Sequence, residues 1–214
     1  MFESTVSFLD WLGIVVFSLT GALVASRKQM DIVGFVLLGT VTGIGGGTLR
    51  DLLLDLHPVL WIEQPIYVVV CALVSTIAFF TAHLVYSRYQ LILWLDAAGL
   101  AIFAATGAER ALGAGAGPIV AVVMGMITAC FGGIIRDTLS QERSIIFSYE
   151  IYVTAALAAA LTLVGADALG VDREVGVSAA FGVGLALRGG AIVFGWSLPR
   201  YRSRQGRAHE NAVS

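Results

Sequence analysis

Apolar residues in this chain gather into seven long runs, at roughly 11–26, 32–54, 66–86, 91–108, 117–135, 150–166 and 175–198. Charged residues collect in the short gaps between them. Each run approaches the ~20 residues an α-helix needs to cross a hydrocarbon core, the shorter ones being marginal. None shows the period-2 alternation of a membrane β-strand. The pattern predicts an all-α membrane protein with seven transmembrane helices.

Composition agrees. The chain is 57% hydrophobic and 13% charged, with a mean hydropathy of +0.86. A soluble domain carries about 25% charged residues, so this chain could not cover its own surface in water. The net charge of −2 adds little; the placement of the charges adds more. Arg27, Lys28, Arg88, Arg143 and the tail arginines Arg200, Arg202, Arg204 and Arg207 fall in alternate gaps on one side. The other side receives Arg110 and Arg173 among Asp55, Glu63, Asp167, Asp172 and Glu174. The positive-inside rule then puts the N-terminus outside and the C-terminus in the cytoplasm. Trp11, Trp61, Trp94 and Trp196 fall where an interfacial belt is expected. Residues 1–10 lack the basic segment and cleavage site of a signal peptide, so the first run is expected to remain.

A short string occurs twice. Gly46-Gly47-Thr48-Leu49-Arg50-Asp51 returns 86 residues later as Gly132-Gly133-Ile134-Ile135-Arg136-Asp137. The register also pairs Asp10 with Asp96, Gly13 with Gly99, Phe17 with Phe103, Thr20 with Thr106, Gly39 with Gly125 and Thr42 with Thr128. Residues 10–54 share 15 identities with residues 96–140 over 45 positions. The chain therefore divides into a first three-helix repeat (8–90), a second (91–168), a seventh helix (175–198) and a basic tail (199–214). Three spans is an odd number, so the second repeat enters the membrane upside down. That is the inverted-repeat architecture common among transport proteins. The tail reads as disordered, either solubilising or touching anionic lipid. Membrane lipid is the expected surrounding partner, and nothing points to nucleic acid.

The glycines and charges are the candidate chemistry. Gly43, Gly45, Gly46 and Gly47 each weaken a helix by ~1 kcal/mol against alanine, which predicts a kink or break in the second span; Gly132-Gly133 repeats it in the fifth. Broken backbone at membrane depth lines a cavity or is buried in protein. The competing reading is close helix packing through small residues. Arg50-Asp51 and Arg136-Asp137 follow one turn later. Charges inside a membrane pair or face water, so they are gate or pore residues, or else they end their spans in the head groups. Neighbours on a helix do not face each other, which predicts a different partner for each arginine. Arg188, deep in the last span, is expected in a salt bridge. Thr42 and Thr128, like Thr20 and Thr106, are expected to bond their own backbone. Asp10 and Asp96 are expected to cap helices. Cys71 and Cys130 read as packing residues. His57, His83 and His209 form no ligand set, and the glycine string lacks the Lys-Ser/Thr of a P-loop. No catalytic constellation is visible, so an enzyme is not expected.

The two Gly-Gly-x-x-Arg-Asp strings, each preceded by a glycine at Gly39 or Gly125, resemble those of the prokaryotic trimeric intracellular cation (TRIC) channels, whose domain is also described as a glycine-transporter-like repeat. The resemblance covers residues 8–198. It implies a homotrimer in the inner membrane with one pore through each subunit, lined by the kinked second and fifth helices. It further implies passage of monovalent cations, chiefly potassium, with no cofactor besides the permeant ion. Animal members balance charge during calcium release and carry lysine motifs in these helices; this chain has arginine, so their lipid regulation does not transfer. A cation path past Arg50, Arg136 and Arg188 needs carboxylates to offset them, and Asp51 and Asp137 could do so as a gate. The rival reading is a secondary transporter of a small solute such as glycine. A third is a membrane scaffold without transport.

The topology is testable by labelling single cysteines at Glu3 and Gln205. They are expected to react from opposite sides of the membrane; reaction from one side would rule out seven spans.

Overall fold

A computed structural model describes residues 2–85, 87–142 and 151–199 of the chain. These residues form eight α-helices: α1 (Phe2–Arg27), α2 (Ile32–Leu53), α3 (Leu60–Glu63), α4 (Ile66–Thr81), α5 (Arg88–Gly113), α6 (Pro118–Leu139), α7 (Val153–Ala168) and α8 (Arg173–Phe194). A short 3-10 turn, Ala82–Leu84, extends α4. Six of the helices are long and apolar enough to cross a membrane; α7 is apolar but has only 16 residues. With α7 they account for the seven runs, and α3 is a short turn the hydropathy pattern did not mark. The basic tail beyond residue 199, Arg143 and the start of the sixth run lie outside the described residues.

The helix ends follow local chemistry. Asp31 caps α2 by accepting from Gly34 N at 2.8 Å. Asp172 caps α8 through Glu174 N, and Pro118 opens α6, where a missing N–H leaves nothing unsatisfied. Gly195, with φ +67°, closes α8 in the left-handed conformation that only glycine adopts without strain.

The repeat is visible in the packing. Helices α1, α2 and α4 pack on one another, as do α5, α6 and α7, and α8 lies against α5 and α7. The central helices α1 and α5 meet through Phe17 and Phe103, equivalent residues whose rings stand edge to face at 5.2 Å. Each ring occupies space left by a glycine of the opposite repeat. A Cβ on Gly13 would collide with Phe103, and one on Gly99 with Phe17.

The repeats run in opposite directions. Asp10, near the start of α1, is bonded to Arg110 near the end of α5. At the other end of the bundle Arg27, closing α1, meets Glu142 just past α6 at 3.2 Å. Large apolar side chains on the bundle's outside are exposed, among them Val33, Leu37, Ile77, Phe80, Ile119 and Val193. Such a surface is stable against lipid and not against water.

The glycine strings do not break their helices. Both α2 and α6 run through them uninterrupted. At about 1 kcal/mol each the glycines lower helix propensity without removing a backbone hydrogen bond, and a closer packing partner offsets that loss. Helices α2 and α6 cross here. A Cβ on Gly46 would strike the carbonyl oxygen of Thr128, and one on Gly132 that of Thr42. The symmetric contact is the close-packing role the small residues allowed. Gly45 is different: a Cβ there would meet the end of the Ile135 side chain at 2.9 Å, and both residues line an open apolar groove.

Gly46→Ala and Gly132→Ala are therefore expected to push α2 from α6 and lower stability by about 1–3 kcal/mol. Gly47→Ala, whose Cβ would sit 3.7 Å from Arg50 Nη2, should be neutral or gain up to about 1 kcal/mol. Thermal unfolding in detergent measures the contrast, and equal stability of all three would contradict the crossing.

Candidate functional site: two buried arginine clusters

One turn after each crossing glycine pair the helix delivers an arginine into the bundle interior. Arg50 and Arg136 are 1% and 0% exposed, too deep for their charges to be solvated. Each is met by carboxylates, in two clusters at opposite ends of the crossing.

In the second repeat Arg136 joins three helices. Its Nε donates to Asp137 Oδ1 at 2.8 Å, and its Nη1 donates to Asp96 Oδ1 of α5 at 2.8 Å and to Thr20 Oγ1 of α1 at 3.1 Å. Gly133 keeps this region open for the Tyr152 hydroxyl, which a Cβ there would meet at 3.0 Å. Arg188 of α8 approaches the face of that ring. Its guanidinium carbon stands 5.2 Å from the Tyr152 centroid, and Nη1 lies 3.5 Å from the Ile151 carbonyl. A cation over an aromatic face is stabilised by the ring quadrupole.

In the first repeat Arg50 Nε donates to Asp51 Oδ1 at 2.9 Å. Its Nη2 lies 2.7 Å from the same oxygen without a directed hydrogen bond. Asp51 Oδ2 accepts from Leu60 N at 3.0 Å, tying α2 to the start of α3. Asp10 sits nearby in α1, its Oδ2 taken by Arg110 Nε at 2.9 Å and Nη2 at 2.6 Å. Asp10, Arg50 and Tyr67 line one cavity of about 20 Å³, enough for a single water. Trp11 stacks on Tyr67 with centroids 3.9 Å apart. Farther out, Arg173 bonds Glu109 on the wall of an open cleft that also exposes Arg110.

These placements correct three expectations. Each arginine does bond its own neighbour. The spacing rule describes where Cβ atoms point, whereas a guanidinium on a long stem can fold back to the nearest carboxylate, and in a dry interior that carboxylate dominates. Asp10 and Asp96 cap nothing; both lie inside helices and neutralise arginines. For Arg188 the described contacts are a carbonyl and a ring face. The head-group placement of the charged pairs does not hold either, since all four residues are buried within the protein. Thr42 and Thr128 bond their own backbones, to Leu38 O and Met124 O at 2.6 Å each, as expected. Cys71 and Cys130 are buried free thiols, also as expected.

A family model described as "Glycine transporter" matches residues 7–83 and 93–168, the two repeats in turn. The crystal structure of a TRIC trimeric intracellular cation channel orthologue from Rhodobacter sphaeroides is 53% identical, covers 90% of this chain and all of its own, and superposes with a TM-score of 0.89. The chain belongs to the prokaryotic TRIC channel family. A second TRIC cation channel structure is 34% identical, with a TM-score of 0.83 over 94% of this chain and 98% of its own. The UPF0126 inner membrane protein YadS of Escherichia coli strain K12 is 44% identical over 156 residues, covering 71% of this chain and 74% of its own length. With its long apolar helices, the chain is an integral membrane protein.

Within this family fold, sequence reasoning located both Arg-Asp pairs but not their partners. Asp10 and Asp96 were in the 86-residue register and signalled themselves there. Tyr67 and Tyr152 escaped it, being 85 residues apart. Arg110 carried no signal, since the register places Val24 opposite it.

Because Arg136 holds three helices and Arg50 is bonded within its own, the cost of removing them should differ. Arg136→Ala removes the ion-pair partner of the fully buried Asp96, with an expected loss of about 3–5 kcal/mol. Arg50→Ala should lose less, because Asp51 keeps its bond to Leu60 N. Unfolding in detergent compares them, and a larger loss for Arg50→Ala would contradict the geometry.

Proposed function

We propose that this protein is a monovalent-cation channel, chiefly for potassium, with a pore in each subunit of a homotrimer. The observation that carries the reading is the likeness of the whole bundle to a chain 53% identical whose structure is that of a trimeric intracellular cation channel. The path runs beside the α2–α6 crossing and between the two clusters. Helices α2 and α6 line it, with Gly47 and Gly133, which face the arginines and not the helix crossing, at its narrowest part.

The electrostatics support passage of a cation. Arg50, Arg110, Arg136 and Arg188 would repel one, but Asp10, Asp51, Asp96 and Asp137 match them charge for charge. The interior is near neutral; a carboxylate left facing the path without its arginine would attract a cation, and an arginine left so would repel one. Arginine–carboxylate pairs are thus a barrier that can be set or released. In the two clusters every carboxylate is engaged by an arginine, so no ring of unpaired carboxylates meets a cation there and selectivity among monovalent cations should be modest. The N-terminus faces out and the C-terminus the cytoplasm, in the inner membrane.

Two inverted repeats also suit a transporter that exposes a site to each side in turn, and the description of the family model names glycine. Purified protein in planar bilayers separates the readings. Unitary currents in potassium chloride are expected, with Asp137→Ala lowering them and Arg136→Gln raising them. Silent bilayers together with saturable glycine uptake into vesicles would overturn the channel.

A further inference from the structure

The two repeats do not hold their arginines alike. Arg136 reaches the α5 carboxylate of Asp96 and the α1 hydroxyl of Thr20. Under the 86-residue register the same two contacts for Arg50 would be Asp10 and Thr106. Neither hydrogen bond is made. Asp10 Oδ1 and Thr106 Oγ1, the two acceptors that the equivalent contacts would satisfy, are both buried without a hydrogen-bond partner. Buried polar groups left so are costly, and their coincidence at related positions marks one contact undone.

What undoes it is Arg110. It occupies the other oxygen of Asp10 with two nitrogens, and it has no counterpart in the first repeat. Its side chain is 29% exposed and borders the open cleft beside Glu109 and Arg173. Water and Glu109 could therefore take over its charge, whereas Arg50, 1% exposed, must stay among carboxylates. The cavity of about 20 Å³ shared by Asp10 and Arg50 leaves room for either side chain to turn toward the other.

We propose that Asp10 is an exchangeable counter-ion. It leaves Arg110 for Arg50, and the resulting Arg50–Asp10–Thr106 contact closes the first-repeat end of the path as Arg136–Asp96–Thr20 closes the second. Arg110 is the positioning residue that holds this end released. The gating consequence rests on the channel reading; the exchange itself does not.

The exchange is tested by recording in planar bilayers and by solving one mutant structure. Arg110→Gln is expected to free Asp10 and lower open probability several-fold. Asp10→Asn should raise it, and the double variant should behave like Asp10→Asn. Thr106→Val, which removes a hydroxyl that bonds nothing here, should leave thermal stability unchanged and raise open probability about twofold. An ion pair that only supports the fold would instead shift Arg110→Gln and Asp10→Asn in the same direction and leave Thr106→Val silent, and that result would overturn the proposal. A structure of Arg110→Gln should show Arg50 within hydrogen-bonding distance of Asp10. If the wild type passes no current the channel reading falls, and this structure still decides the exchange: Arg50 remaining on Asp51 alone refutes it. Should Arg110→Gln fail to fold, Arg110→Lys, with one nitrogen in place of two, should show the same shift in weaker form; no shift there counts against the exchange.

Discussion

A guanidinium shut away from water has to meet a carboxylate, and much of this bundle's architecture follows from that requirement. Desolvating a charge is tolerable only when attraction in the low-dielectric interior and good hydrogen bonds offset it. Arg136 meets the condition by drawing on Asp137 of its own helix, Asp96 of α5 and Thr20 of α1. One side chain thereby sets the spacing of α6 against the two central helices. Arg50 meets it through Asp51 alone, and Asp10 Oδ1 and Thr106 Oγ1, at the positions related to those Arg136 engages, have no hydrogen-bond partner.

The glycine crossing and the charged clusters form one mechanical unit. Gly46 and Gly132 let α2 and α6 touch backbone to backbone, each glycine against a threonine carbonyl of the other helix. The arginines sit one turn beyond, so any change in the crossing moves both guanidinium groups relative to their carboxylates. Packed interiors favour discrete arrangements over continuous deformation. A pair of ion-pair clusters joined by a tight crossing is therefore well suited to switching between a small number of states.

Asymmetry is what a duplicated chain gains once its halves diverge. The inverted repeat brings equivalent groups to both ends: aspartate, arginine, aspartate, threonine and tyrosine. Single residues outside the register then distinguish the ends. Arg110 engages the first-repeat aspartate, while Arg188 from α8 lies over the tyrosine of the second. Neither addition disturbs the shared scaffold of Phe17 against Phe103. The ends can therefore respond differently while the core between them stays the same.

Much of this was legible in the chain itself. Long apolar runs with few charges dictate membrane helices, because hydrocarbon leaves the backbone no hydrogen-bond partner but itself. The 86-residue register exposed the duplication, the odd number of spans required its inversion, and both Arg-Asp pairs were visible as charges too deep to be incidental. The behaviour of the glycines was not visible. Local propensity argues for a break at Gly46-Gly47, and only the arrival of Thr128 from α6 makes an unbroken helix the better solution. The partners of the arginines were hidden for the same reason. Asp10 lies 40 residues before Arg50 in the chain, as Asp96 does before Arg136, and nothing along the chain tells that Asp96 bonds Arg136 while Asp10 bonds Arg110. Periodicity and composition act locally and are written in order. Which charge neutralises which is decided by distances between helices, and those exist only once the helices have packed.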